Sequence, residues 1–222
     1  MAEPSITFGV SATPFGAPTG WVPRGPAVSV VKDRANVLNG IGNEVASQLH
    51  NERTEVTQEF APASASVTPT VPATIGALLD EVILTGISLS TSATGFVSMT
   101  LTGHQHANNA HVDNLKKVAH GVTLSGSFGT TDFMGATPGA NASLESSSCD
   151  ITVQHIDVQN GDGNHLVGEN FDGRIAYSQT WHGVPTTASS GSIDVTSTVT
   201  TENNTGFLQT AVTGEKALTL AE

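Results

Sequence analysis

Val28-Ser29-Val30-Val31-Lys32-Asp33-Arg34-Ala35-Asn36-Val37-Leu38-Asn39-Gly40-Ile41-Gly42-Asn43-Glu44-Val45 reads as two strands around a turn. Val28 and Val30 flank Ser29 with the period of two that separates the faces of a strand. Asn39-Gly40 is a strong hairpin signal, because both residues tolerate positive φ. Val56 and Phe60 then alternate with Glu55, Thr57 and Glu59, which predicts a further strand.

The same period recurs along most of the chain. Val97, Met99 and Leu101 alternate with Ser98, Thr100 and Thr102. Cys149, Ile151 and Val153 form one face of another strand. Ile175, Tyr177 and Trp181 lie on a third, and Ile193, Val195 and Val199 on a fourth, with Leu208 and Val212 continuing the pattern. β-Branched residues set among Ser and Thr suit a pleated surface. Residues 75–81 are ambiguous between strand and a short helix. Over 109–120 the period changes. Val112, Leu115, Val118 and Ala119 share one helical face, an Asn at 108 or 109 can cap the start, and Gly121 can end the turn. The expected fold is therefore mainly β, an antiparallel sandwich or barrel with one packed helix at about 109–120 and long loops.

Residues 61–74, with Pro62, Pro69 and Pro72, read as a loop and a candidate subdomain boundary. Residues 1–26 form a Pro/Gly-rich arm ahead of a single β-rich domain, 27–222. Proline resists both helix and central strand, yet the arm carries Phe8, Phe15 and Trp21. Aromatics of that size need a surface to lie on. That surface is either the chain's own domain or a neighbour's; the arm is expected to order in an assembly, with Phe15 and Trp21 as candidate self-assembly contacts beside the hairpin tip at Asn39 and Gly40.

Composition narrows the function. Of 222 residues, 8 are Lys or Arg and 20 are Asp or Glu, a net charge of −12. That argues against a sequence-reading nucleic-acid binder, which needs a basic patch to neutralise phosphates. No apolar run reaches the length of a membrane-spanning helix, so no membrane insertion is expected. Met1-Ala2-Glu3-Pro4 has neither a basic n-region nor an apolar h-region, so no secretory signal is expected. Cys149 is the sole cysteine; it sits among core positions and reads as a small buried residue.

The chemistry-bearing residues give little. His104, His106 and His111 form H-x-H-x4-H. Zinc accepts sets of three imidazoles, but the spacing matches no metal motif, and a polar strand-to-helix connection is the favoured reading. Asn160-Gly161-Asp162-Gly163-Asn164 resembles the start of a calcium loop, but His165 and Phe171 stand where such a loop needs Gly and Glu, so it reads as a turn. Asp132, Asp157, Asp172 and Glu169 are carboxylates that nothing pairs. Trp181 reads as core. There is no nucleophile elbow, phosphate loop or His-Glu-x-x-His. No enzyme activity, cofactor or metal is expected.

The hairpin 28–45, and the order of strands, one helix and more strands across 27–218, resemble bacteriophage tail tube proteins. The resemblance is one of architecture. It implies a virion structural protein, assembled in the bacterial cytoplasm, whose subunits form stacked and commonly hexameric rings. Their sheets would join into a barrel around a channel through which DNA passes without specific contact, and their partners would be further copies and other virion proteins. A head–tail joining protein, a capsid decoration protein, a carbohydrate-binding or adhesin-like sandwich, and a metal-binding or hydrolytic β-protein centred on His104, His106 and His111 are the alternatives.

Overall fold

A computed structural model describes residues 13–80, 82–106, 115–136, 141–159, 165–185, 193–202 and 208–220. Twelve strands occur there: β1 Trp21–Pro23, β2 Ala27–Leu38, β3 Glu44–Pro62, β4 Thr74–Ile75, β5 Leu78–Leu79, β6 Val82–Ser92, β7 Ser98–His106, β8 Val118–Ala119, β9 Ser143–Gln159, β10 His165–His182, β11 Asp194–Glu202 and β12 Leu208–Ala217. Ten belong to one antiparallel sheet. Its path runs β1-β3-β7-β6-β9-β10-β12-β11, with β2 also on β3 and β5 on β6. β4 and β8 form a separate two-stranded pair.

The expected helix at about 109–120 is not seen. Residues 107–114 lie outside the described residues, while Val118–Ala119 is extended and pairs with Thr74–Ile75. The three-residue spacing of Leu115 and Val118 has another cause. Leu115 packs on Ile83, and Val118 enters the main core beside Ile75. A twelve-residue segment gains little from helix propensity alone, so these tertiary contacts decide the conformation of residues 115–119. Of residues 75–81, open between strand and helix, Ile75 ends β4 and Leu78–Leu79 form β5, while residue 81 lies outside the described residues. Among the described residues there is no helix, hence none long and apolar enough to cross a membrane.

The strands follow the alternation in the sequence. In β9, Cys149, Ile151 and Val153 are buried while Asp150, Thr152 and Gln154 are exposed. One hydrophobic cluster gathers such residues from β3, β6, β7, β9, β10 and β12 and adds Val71, Leu124 and Met134 from the connecting loops. Residues 13–26 lie on the chain's own domain rather than free for a neighbour. Phe15 is 1% exposed and Trp21 5%. Trp21 Nε1–H donates to Thr70 O at 3.1 Å, and β1 pairs with β3 from Trp21–Pro62 to Pro23–Phe60. The two aromatics offered by the sequence as self-assembly contacts are thus core residues of a single chain.

The hairpin β2–β3 is present but longer than the alternation suggests, with β3 running 19 residues. Asn39 closes its tip. Its Oδ1 accepts the N–H of Ile41 at 3.1 Å and of Asn43 at 2.9 Å. The left-handed residue is Gly42 (φ 84°) rather than Asn39 or Gly40.

Candidate functional site

The ladders of the sheet stop at different places, and this creates the site. β3 pairs with β7 only from Arg53 to Phe60, so Glu44–Glu52 pairs with β2 alone. β9 pairs with β6 only from Gly86–Thr152 to Ser92–Ser146, and β10 pairs with β12 only from Arg174 onward. Beyond those points β9 and β10 also continue as a two-stranded ribbon. Both ribbons leave the sheet at the end where β6 begins. Between them lies a groove of about 530 Å³ bordered by Arg53, Glu55, Thr85, His104, His155 and Asp157.

At the root of this groove His104 and His106 of β7 meet His155 and Asp157 of β9. One ligand atom from each lies within 4.8 Å of the others. In both strands the pair is two residues apart, which puts both members on one side of a strand. His106 Nε2 lies 2.9 Å from Asp157 Oδ2 and His104 Nε2 lies 3.9 Å from it. His155 Nε2 contacts Asp157 Oδ1. All four side chains are sheltered, at most 11% exposed. The rings of His104 and His106 stand edge to face at 5.1 Å, and those of His104 and His155 are 4.6 Å apart.

A further layer orients this group. Asn170 of β10 donates through Nδ2 to Gly76 O at 2.9 Å and to Lys116 O at 2.7 Å. Its Oδ1 is thereby the acceptor facing His155 Nδ1, 2.6 Å away. Gly76 (φ 81°) leaves room for the amide: a Cβ there would sit 2.6 Å from Asn170 Nδ2.

The electrostatics follow from burial and these contacts. Burial, reinforced by the His155 and His106 imidazoles, pushes His104 down to about 3 against the pull of Asp157. Burial alone would raise the Asp157 carboxyl, but hydrogen bonds from His106 and His155 outweigh it and hold Asp157 well below the usual carboxylate range. His155 is likewise disfavoured by burial, yet its bonds to Asp157 and Asn170 raise it above an ordinary imidazole.

Of the residues singled out from sequence, His104 and His106 are therefore brought together, and His111 lies outside the described residues. His155 and Asp157 were missed as members of the cluster. A signal existed: they continue the alternation of Cys149, Ile151 and Val153. The other carboxylates have ordinary roles. Asp132 Oδ1 accepts from the N–H groups of Met134 and Gly135 and from Gln179 Nε2. Asp172 pairs with Arg174 and Glu169 with Lys116. The turn at 160–164 lies outside the described residues. Cys149 is buried, with its thiol pushed up to about 12 by burial and by neighbouring Asp150. Trp181 is core, 2% exposed, with Nε1–H donating to Gln179 Oε1. Asn39 and Gly40 stand at the tip of the first ribbon.

No known family model matches the sequence, and no curated protein matches it.

Proposed function

We propose that this protein is a non-enzymatic structural subunit that assembles with copies of itself through its two ribbons and its sheet edges. The observation that carries this reading is the exposure of the β2–β3 ribbon. Val30, Val37, Leu38 and Val45 are each more than half exposed, and Ile41 at the tip is 81% exposed. An isolated two-stranded ribbon is marginal in water, and exposed apolar residues on an open edge invite pairing with another chain. The second ribbon repeats the pattern with Ile156, Val158 and Val167. Among the described residues β2 and β11 have a strand partner on one side only.

The finer reading is a ring-forming virion protein of the phage tail tube type. The long hairpin and antiparallel sheet support it, and a net charge of −12 suits a channel wall that DNA slides past. The sandwich or barrel expected from the sequence would then be completed between subunits, since closure across copies removes open edges. A sugar-binding face is less well supported, because Trp21, Tyr177 and Trp181 are all buried.

The test is electron microscopy of the purified protein over a range of concentrations, with light scattering for mass. Rings or stacked tubes with a central hole are expected. A strict monomer at every concentration would overturn the assignment.

A further inference from the structure

We propose that His104, His106, His155 and Asp157 bind one divalent cation of the zinc class, as a closed structural centre that ties β7 to β9 at the root of the ribbons.

Three imidazoles and one carboxylate are a complete tetrahedral donor set for zinc. The ligand atoms already lie within 4.8 Å of one another, close enough for small side-chain shifts to bring all four onto one ion. Two features of the cluster call for a cation. Among the described residues His104 Nε2 is buried and has no hydrogen-bond partner, whereas native proteins rarely leave such an atom unsatisfied. His155 carries its proton on Nδ1, because Asn170 Oδ1 is fixed as an acceptor by the two bonds its amide nitrogen makes. The Nε2 lone pair of a neutral His155 would then face the Asp157 carboxylate. Two acceptors in contact repel unless a proton or a metal ion lies between them. A proton on His155 answers that contact alone and leaves His104 Nε2 unsatisfied. A metal ion answers all of them at once.

The surroundings match how proteins hold such ions. A ligating histidine commonly donates its other N–H to a fixed acceptor, and Asn170 supplies one. With four side chains already in place, no coordination position is left for a reacting water, so the centre is structural rather than catalytic. It joins two strands that β6 separates, at the place where the β6–β9 ladder has ended.

The test uses the full chain, stripped with chelator and titrated with Zn2+ by calorimetry and with Co2+ by visible absorption. One ion per chain is expected, with the d–d bands of four-coordinate cobalt and a Tm rise on the order of 5–10 °C at saturating Zn2+. His104→Gln and Asp157→Asn should each weaken binding by at least about tenfold. Circular dichroism of the stripped wild type establishes that the apo chain is folded, so the titration stands even if a variant does not fold. Fewer than one ion per several chains would overturn the proposal and leave a proton shared by His155 and Asp157. Binding that both variants retain unchanged would also overturn it, by placing the ion elsewhere.

Discussion

Asn170 Oδ1 lies 2.6 Å from His155 Nδ1, and this contact determines which nitrogen of His155 faces Asp157. The amide cannot flip without placing its carbonyl oxygen against Gly76 O and Lys116 O. Asn170→Ala should therefore free the His155 ring and weaken Zn2+ binding by about 10–100-fold, with the stoichiometry unchanged. Calorimetric titration of the variant checks this. An unchanged affinity would show that the ring is held by something else.

Gly76 offers a second handle on the same layer. A Cβ there would lie 2.6 Å from Asn170 Nδ2 and 2.8 Å from Lys116 O, at a backbone angle that other residues adopt only with strain. Gly76→Ala is expected to lower stability by about 1–3 kcal/mol and to weaken metal binding as well. Urea unfolding with and without Zn2+ separates the two effects.

The charge state of His120 gives a pH dependence away from the cluster. His120 Nδ1 accepts the N–H of Val122 at 3.1 Å, while its other nitrogen bonds Pro72 O. Only the neutral ring does both. Burial lowers its pKa, partly opposed by the bond to Pro72. The unfolded chain takes up this proton below about pH 6.5 and the folded chain resists it. The contribution is therefore fully present above that pH and is lost as pH falls. Comparing wild type with His120→Gln in urea between pH 7.5 and pH 5 isolates this group. The stability gap should narrow toward acid, and a constant gap would rule the mechanism out.

Much of this fold was legible in local alternation, because a strand with one buried face must alternate. Cys149, Ile151 and Val153 declared β9, and the Asn39 region declared the first ribbon. The segment 115–120 misled because apolar residues three apart also arise where an extended chain touches two different surfaces, as Leu115 and Val118 do. His104 and His106 stood out through their spacing. His155 and Asp157 did not, since joining β7 to β9 requires knowing that both flank β6, and strand order is a long-range property. Phe15 and Trp21 could be seen as needing a surface, but the choice between the same chain and a neighbour rests on the long-range pairing of β1 with β3.

Cys149 should be chemically silent in the native protein. Its thiol is pushed up to about 12, chiefly by burial, and the side chain is inaccessible. At pH 8 a thiol reagent should label no cysteine in the folded chain and one per chain in denaturant. Fast labelling without denaturant would show that β9 opens locally.

The ribbon tip provides the sharpest separation of assembly from folding. Ile41 is 81% exposed and makes no contribution to the buried core, so Ile41→Asp should change monomer stability by no more than about 0.5 kcal/mol. If copies meet through the ribbons, the same change places a carboxylate in an apolar interface and should abolish rings or tubes at concentrations where wild type forms them. The double variant Val37→Asp/Val45→Asp, further down the ribbon, should act in the same way. Light scattering and electron microscopy read assembly, and denaturant unfolding reads stability. Loss of assembly with unfolding unchanged would assign the exposed apolar residues to contacts between copies. If assembly survives both variants, contacts between copies must lie elsewhere, with the β11 edge as the next segment to alter.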